Sequence, residues 1–556
     1  HNGAKVRANQ ARIIIVDQAG TIAASPVVGG GGLSAARSRM NKRPGKGTIA
    51  LFITLLLAGL AFTAFSLNRD IAETSEPLAL LPFVLLGVSL LIALGFEFVN
   101  GFYYFYYSVS TVIYTHSLAP QVAVVWSGFW NFAGVLLSSG AVAFGIISLL
   151  PVELILQVGS GAGFAMVFAL LLAAIIWNLG TWYLGLPASS SHTLIGSIIG
   201  VGLANQLMHG SVATSGVDWG QAAKVGQALL FSPLIGFVAA ALLLLALKTL
   251  VRNPALYQAP EGDAPPPWWI RGILILTCTG VSFAHGSNDG QKGMGLIMLI
   301  LIGIVPTAYA LNRSVPESYV PEFVALSHDA RDILDRHAGG VPAPEDLRAA
   351  VAAALEAHEI TPPVLAAGAR MVDEIAGQVG SYGSLTQVPA AQVKNVRNDM
   401  YLVSEMLRLA GKDPALFAGE AGRQLAAYKK AIDNAIKFIP TWVKVAVAIA
   451  LGLGTMVGWK RIVITVGERI GKQHLTYGQG AAAEVVAMTT IAAADVYGLP
   501  VSTTHVLSSG VAGTMAANGS GLQWSTVRNL ATAWVLTLPA AIALSAGLYW
   551  AFHQML

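Results

Sequence analysis

Long apolar runs separated by short polar connections make up most of the chain. They lie at 49–67, 78–99, 120–150, 162–183, 192–208, 226–251, 268–285, 294–311, 438–459, 481–497, 504–517 and 530–553. A helix needs about 20 predominantly apolar residues to cross a bilayer, and most of these runs approach or reach that length. Several are short or interrupted by glycine, which is typical of broken or re-entrant helices around a polar cavity. The pattern predicts an all-α polytopic membrane protein with about twelve hydrophobic segments.

Residues 313–437 depart from this pattern. The stretch holds most of the acidic residues of the chain, and its apolar residues recur with helical spacing in 344–358 and 393–409. Amphipathic helices of this kind bury one face against each other and expose the other to water. We therefore predict a soluble helical insertion of about 125 residues.

The composition supports a membrane protein and excludes several other classes. Hydrophobic residues are 54% of the chain and charged residues 11%, whereas about a quarter of the residues of soluble proteins are charged. The net charge of +4 is small and does not favour a nucleic-acid partner. Cys278 is the only cysteine, which excludes an intrachain disulfide and a cysteine-rich metal site.

The basic residues predict the orientation in the membrane. A basic flank precedes the first apolar run and consists of Arg37, Arg39, Lys42, Arg43 and Lys46. The positive-inside rule places this N-terminus in the cytoplasm of a cell whose inner (plasma) membrane holds the protein. Six crossings then place three later basic residues inside, namely Lys248, Arg252 and Arg271. The same count leaves four others outside, namely Lys460, Arg461, Arg469 and Lys472, so at least one later segment is expected to enter and leave on one side.

One motif occurs twice, as GLPASSSHTLIGSIIG at 185–200 and GLPVSTTHVLSSGVAG at 498–513. The hydroxyl residues of the two copies are Ser189, Ser190, Ser191 and Thr193, and Ser502, Thr503 and Thr504. Leu-Pro before them indicates a helix N-terminus, where free backbone N–H groups and the helix dipole favour an anion. Ordinary helix capping would also explain one such run. The matched pair favours a single anion site built by two halves.

A second polar stretch, FAHGSNDGQKGMG at 283–295, interrupts an apolar region. Ionisable residues at membrane depth are costly and indicate function, so Asn288 and Asp289 are candidates for holding a cation or proton. Its glycines are expected to permit a non-helical break there. The alternative is a short polar turn between two helices, with Asp289 merely paired to Lys292.

The spacing of these motifs indicates a duplication. Gly286 follows Gly101 by 185 residues, and Gly498 follows Gly185 by 313. The difference of 128 is close to the length of the insertion, which therefore interrupts the second copy. The predicted organisation is a flexible basic segment at 1–48, a first membrane repeat at 49–251, the second repeat at 268–312 and 438–556, and the insertion at 313–437.

These motifs, with TVIYT at 111–115 and the segment 166–200, resemble the PiT-type inorganic phosphate transporters, in particular the bacterial low-affinity branch. The resemblance covers about residues 50–556. It implies a secondary transporter with two inverted repeats that carries phosphate together with a cation. In the bacterial branch it implies protons as the driving ion and a metal–phosphate complex as substrate, whereas other branches use Na⁺. A divalent metal then belongs to the substrate, and neither a resident metal nor another cofactor is expected.

The chain departs from the family pattern in the first repeat. Where the family has Asp and Asn, this sequence has Tyr104 and Tyr107, within a run that begins after Asn100 and includes Tyr103. Tyrosine, with an ordinary pKa near 10, cannot supply a carboxylate at neutral pH. The run indicates an altered or lost cation site, or a segment changed from its natural form.

Two other acidic residues that lie at membrane depth in the apolar pattern, Glu97 and Glu484, are candidates for proton or cation coupling. Glu97 precedes the altered motif and is the candidate replacement for its missing carboxylate; the alternative is a helix-end residue that faces the headgroups. Asp495 is expected to be structural. His192 and His505 follow the hydroxyl runs and are candidates for proton transfer or for helix packing.

The sequence therefore favours a symporter of inorganic phosphate in a lipid bilayer, with a homodimer as one option. Three alternatives remain open: a transporter of a related anion such as sulfate, a channel, and a phosphate-binding sensor that has lost transport. No nucleophile–base pair or nucleotide-binding loop indicates an enzyme.

Overall fold

The structure is a computed structural model. It describes residues 45–74, 79–150, 154–155, 160–186, 188–209, 217–260, 264–316, 318–413, 418–458, 463 and 470–555, with the backbone alone at 103–108, 209 and 458. The flexible segment predicted at 1–48 lies outside these residues except for its last four, as do Lys460, Arg461 and Arg469. The described residues form α-helices and two short 3₁₀ helices, with one isolated bridge between Gly471 and Leu522.

The described residues of the first half form seven named helices. They are α1 (Lys46–Ala72), α2 (Leu80–Tyr114), α3 (Pro120–Leu137), α4 (Ala141–Ile147), α5 (Gly161–Tyr183), α6 (Ser190–His209) and α7 (Trp219–Leu250). The apolar run predicted at 120–150 as one segment is divided between α3 and α4. The division occurs at Gly140, whose φ of +88° is left-handed and suits glycine.

A single helix, α8 (Trp268–Ile304), replaces two predicted segments. The polar stretch around Asp289 lies in its middle, so the prediction of a non-helical break or turn there is wrong. Every residue from Ala284 to Leu301 is buried. Neighbouring helices supply hydrogen-bond partners to the polar side chains, which allows a continuous helix to carry them at membrane depth.

The short helix α9 (Pro306–Tyr309) precedes the insertion, whose described residues form five further α-helices. They are α10 (Tyr319–Ala338), α11 (Leu347–Ala357), α12 (Pro362–Tyr382), α13 (Ala390–Ala410) and α14 (Gly419–Ile436). Their apolar faces join a hydrophobic core that continues into the membrane helices, for example from Met406 to Leu299. An ion pair of 2.9 Å between Arg408 on α13 and Asp218 before α7 also connects the two parts.

The remaining helices are α15 (Thr441–Gly458), α16 (Tyr477–Val496), α17 (Thr503–Asn518) and α18 (Trp524–His553). Six described helices are long and apolar enough to cross a membrane: α1, part of α2, α3, α5, α7 and α18. A seventh is added if α14 and α15, bent by 73° at their junction, form one span. The described part of the chain is thus all-helical, with six or seven candidate membrane spans, and the expected count of twelve segments stays a prediction.

The two halves pack on each other in a reciprocal way. Helix α6 packs on α18 and α17 packs on α7, while α8 packs on α3 and α2 packs on α15. Two crossings have no room for a side chain: a Cβ on Gly286 of α8 would come within 2.1 Å of the Asn131 carbonyl oxygen. A Cβ on Gly454 of α15 would come within 1.9 Å of the Phe98 carbonyl oxygen. Glycine therefore sets how closely these helices approach.

The two ends of α1 lie at opposite ends of the membrane part. Near its C-terminus, Asp70 accepts hydrogen bonds from Tyr309 (2.8 Å) and Trp442 (3.0 Å), the residues that flank the insertion. At the other end of the helix bundle, Lys248 donates to Asn518 (2.5 Å) and the Lys472 N–H donates to the Gly521 carbonyl (3.0 Å). Lys472 therefore lies at the same end of the described helices as Lys248.

This arrangement predicts opposite accessibility of the N-terminus and the insertion. In a Cys278→Ala background, single cysteines at Lys46 and at exposed Gly340 are expected to react with an impermeant maleimide from opposite sides of sealed vesicles. The reason is that Lys46 lies at the N-terminal end of α1 and the insertion lies near the C-terminal end of the same helix, which is long enough to cross a bilayer. Labelling of both cysteines from the same side would contradict the arrangement.

Candidate functional site

Two helical hairpins, α5–α6 and α16–α17, carry the duplicated motif. Each first helix ends at a glycine with positive φ, Gly185 at +68° and Gly498 at +65°. The next N–H donates back five residues, from Leu186 to Thr181 (2.9 Å) and from Leu499 to Ala494 (2.8 Å). This is the Schellman pattern of helix ends, for which glycine is preferred. In both hairpins the backbone then turns, and the second helix begins at Ser190 in one hairpin and at Thr503 in the other.

The first hydroxyl of each run caps the helix that follows. Ser189 Oγ accepts from the His192 N–H at 3.2 Å, and Ser502 Oγ accepts from the His505 N–H at 3.2 Å. These two serines therefore have the ordinary capping role that the sequence left as an alternative. Thr193 is also engaged within its helix, since its hydroxyl donates to the Ser189 carbonyl (2.9 Å).

The tips of the two hairpins meet at the middle of α8. Ser191 Oγ donates to the Val501 carbonyl (2.7 Å) and accepts from Lys292 Nζ (2.6 Å). Thr503 Oγ1 donates to Asp289 Oδ2 (3.0 Å). The structure thus brings both hydroxyl runs, predicted from separate halves, to one place on α8.

Asp289 is the centre of a buried ion cluster. Its carboxylate pairs with Lys292 one turn later and with His285 Nε2 one turn earlier (2.8 Å). His285 Nδ1 in turn contacts Asn131 Oδ1 at 2.5 Å. Asp289 and Lys292 are completely buried, and such a pair is retained only where hydrogen bonds offset its desolvation. Both carboxylate oxygens of Asp289 therefore contact side chains of the protein in this conformation.

Several buried polar atoms near this cluster have no hydrogen-bond partner among the described residues, among them Ser190 Oγ, Thr504 Oγ1, Asn288 Oδ1 and Glu97 Oε1. The other end of the Asn288 amide donates to the Leu499 carbonyl (3.2 Å). Buried polar groups are nearly always paired, so the two hydroxyls of Ser190 and Thr504, each in the first turn of a helix, are candidates for binding a ligand. Hydroxyl groups and backbone N–H groups suit an oxyanion.

Glu97 lies beside the ion cluster. A Cβ on Gly293 would come within 2.3 Å of Glu97 Oε1, so the carboxyl packs directly on α8 at the residue after Lys292. Asn100 Nδ2 donates to Glu97 Oε2 (3.3 Å). The side chains of Tyr103, Tyr104 and Tyr107 lie outside the described part of the structure.

Glu484 lies elsewhere. It is on α16, completely buried, and accepts a hydrogen bond from Thr277. Thr277 precedes Asp289 by twelve residues on α8, or about 18 Å along the axis. Asp495 accepts from Ser287 (2.6 Å) and Gln291 (2.5 Å) and so holds α16 against α8.

The sequence places His285 and Lys292 in the polar stretch at 283–295 without assigning a role to either, and it does not indicate Asn131. The spacing of His285, Asp289 and Lys292 at four and three residues was a usable signal, because such residues share one helix face. Asn131 sits in an ordinary apolar run and gave no signal. Among the described residues, no group of three or more His, Cys, Asp or Glu side chains is placed to hold a metal ion.

Comparisons with known proteins agree on one family. The model of the phosphate transporter family matches residues 100–545. The low-affinity inorganic phosphate transporter PitA of Escherichia coli (strain K12) is 42% identical over 494 residues, which cover 84% of this chain and 98% of that protein. PitB of the same strain, also a low-affinity inorganic phosphate transporter, is 41% identical with the same coverage.

A solved structure described as the sodium-dependent phosphate transporter covers 84% of this chain and 100% of its own, with 17% identity and a TM-score of 0.43. The family is one of transporters and not of enzymes, as the sequence led us to expect. A family model that spans most of the membrane part, together with relatives above 40% identity, leaves one conclusion. The chain belongs to the phosphate transporter family.

Proposed function

We propose that the protein is a secondary active symporter that carries inorganic phosphate, as a metal–phosphate complex, together with protons across the inner membrane. The observation that carries the proposal is the pair of unpartnered buried hydroxyls, Ser190 and Thr504, on two helix N-termini that meet at Lys292. Phosphate would accept hydrogen bonds from these hydroxyls and from the free backbone N–H groups of the two helices. The Lys292 ammonium supplies the positive charge.

The same cluster supports coupling to protons. Phosphate next to the Asp289 carboxylate is repelled in a medium of low dielectric unless a positive charge or a proton lies between them. Lys292 pairs with one carboxylate oxygen of Asp289 and would compete there with a sodium ion. When Lys292 turns to phosphate, a proton on Asp289 restores the balance of charge. His285, at 2.8 Å, is placed to transfer it.

Glu97 is our candidate for the carboxylate that the first repeat lacks. It packs against α8 and lies close enough to Asp289 and Lys292 to interact with both charges. A carboxyl at this place takes up a proton on one side of the membrane and releases it on the other. Glu484 remains a second candidate for proton coupling at a separate position on α16.

We also propose two inverted repeats that move against each other. Helix α2 runs away from the insertion and α8 runs towards it, and each packs on a helix of the other half. Inverted repeats that meet at a shared site are typical of alternating access, in which the site opens first to one side and then to the other.

The test is phosphate uptake into proteoliposomes under an imposed proton gradient. We expect the chain to concentrate phosphate and to lose this activity when the gradient is collapsed, because Glu97 replaces the missing carboxylate. A chain in which 103–108 is restored to the family pattern serves as the comparison. Uptake only by the restored chain would contradict the proposal and favour the phosphate-binding sensor.

Three further measurements in the same vesicles test the substrate and the mode of transport. Sulfate that competes fully with phosphate would favour a transporter of a related anion. Flux that never exceeds the phosphate equilibrium would indicate a channel. Uptake that is unchanged after removal of divalent metals would exclude the metal–phosphate complex as the substrate.

A further inference from the structure

A cavity lies where α13 of the insertion meets the ends of α4 and α8. It is small: the centres of water-sized molecules can occupy about 20 Å³ of it. Its apolar wall comes from the membrane helices and its polar wall from the insertion; the main lining residues are Phe144, Ile147, Leu299, Ile302, Arg397 and Lys437. Leu299 follows Lys292 by seven residues on α8, about 10 Å along the axis. The cavity is therefore distinct from the site at Asp289.

Arg397 is the unusual residue of this cavity. Only 6% of it is exposed, and its Nε has no hydrogen-bond partner within the described part of the chain. Its Nη1 donates to the neighbouring Asn398 side chain (3.2 Å), and its guanidinium lies 4.9 Å from the centre of the Tyr401 ring. Burial lowers the pKa of Arg397, as expected for a cation taken out of water without a counter-ion.

The other charges at the cavity are already balanced. Glu405 pairs with Arg408 (2.5 Å) and with Lys437 (3.5 Å), and Lys437 also pairs with Asp433 (2.9 Å). Among the described residues, no carboxylate lies within 4.0 Å of Arg397 to neutralise it. A buried guanidinium without a carboxylate is costly, and a bound anion would remove that cost.

We propose that Arg397 anchors a second anion site, which binds a phosphate group at the junction of the insertion and the membrane helices. The planar guanidinium matches two phosphate oxygens, and its free Nε–H is one of the two donors of such a fork. The phosphate group is either free inorganic phosphate or the headgroup of an anionic lipid. The proposal does not depend on the transport mechanism.

Hydrogen–deuterium exchange of the full chain tests it, because this measurement localises the effect to 390–410 and separates it from the hairpin tips. One arm adds inorganic phosphate to delipidated protein in detergent, with chloride at equal ionic strength as reference. The other compares phosphatidylcholine nanodiscs with and without phosphatidylglycerol, free of phosphate. We expect the added phosphate group to slow the exchange of α13 in one of the two arms. The Arg397→Gln variant is expected to lose this slowing.

Arg423→Gln is the matched control, since Arg423 is an exposed arginine of the same insertion that pairs with Glu420. It is expected to respond as the unmodified chain does. Arg397→Lys keeps the charge and removes the planar fork of donors. The concentration of phosphate group that gives half of the maximal protection is therefore expected to rise about tenfold. If Arg397→Gln does not fold, this variant decides the test. Protection by inorganic phosphate supports a free anion, and protection by phosphatidylglycerol alone supports a lipid headgroup. No protection in either arm, or equal protection in the Arg397 variants, would overturn the proposal.

Discussion

Asp289→Asn is expected to lower proton-driven phosphate uptake by on the order of a hundredfold or more. The asparagine has nearly the same shape but leaves Lys292 buried without its counter-ion, and removing one partner of a buried pair costs about 3–5 kcal/mol. It also removes the group that we propose to carry the proton. His285 and Thr503 would keep an oxygen to contact, so the change acts through charge and not through packing.

Asp495→Asn is the matched control. Asp495 also binds α8, through Ser287 and Gln291, but has no contact with Lys292 in the described structure. Its uptake is expected to stay within about threefold of the unmodified chain. Asp289→Glu, which keeps the charge, should recover part of the activity. Full uptake by Asp289→Asn would show that the coupling carboxyl lies elsewhere, with Glu97 and Glu484 as the next candidates.

Gly286→Ala is expected to destabilise the protein by about 3 kcal/mol or more, because overpacking at a rigid contact forces the backbone to move. The new Cβ would lie 2.1 Å from the Asn131 carbonyl oxygen and close to its backbone carbon atoms, none of which can turn aside as a flexible side chain would. Helices α3 and α8 must separate, which also moves Asn131 from His285. The measurement is thermal unfolding of the purified protein, with the yield of folded protein as a second observable.

Gly272→Ala provides the comparison on the same helix. A Cβ at Gly272 meets no other atom within 4 Å, and alanine is the better helix former by up to about 1 kcal/mol. We expect this variant to be as stable as the unmodified chain or slightly more stable. Equal unfolding temperatures for the two variants would show that the crossing of α3 and α8 tolerates a side chain.

The sequence predicted those features that depend on local pattern. Apolar runs located most of the helices, and the repeated Gly-Leu-Pro motif correctly indicated helix N-termini at Ser190 and Thr503. The continuity of α8 was missed, because glycines and polar residues in sequence look like a break when their partners on other helices are unknown. The partner of His285 was missed for the same reason: Asn131 is 154 positions away, and nothing near it in the chain marks it.

The distribution of roles among the seven hydroxyl residues also required three dimensions. All were predicted to face an anion, yet Ser189 and Ser502 cap their helices and Ser191 is held by Lys292. Only the geometry distinguishes these from Ser190 and Thr504, whose oxygens have no partner among the described residues. Residue type and spacing alone are the same for both groups.

The exchange of partners between the halves has a consequence for biosynthesis. Helix α6 packs on α18 through Gly196 and Gly200. Because glycine has no side chain, Leu538, Ala541 and Ile542 of α18 can approach α6 closely there. During translation α6 is complete more than 300 residues before α18 has left the ribosome. Until α18 is inserted, the first hairpin therefore lies in the lipid with its small-residue face unpacked. A chain truncated before α18 would be degraded by membrane quality control and would not form a smaller functional transporter.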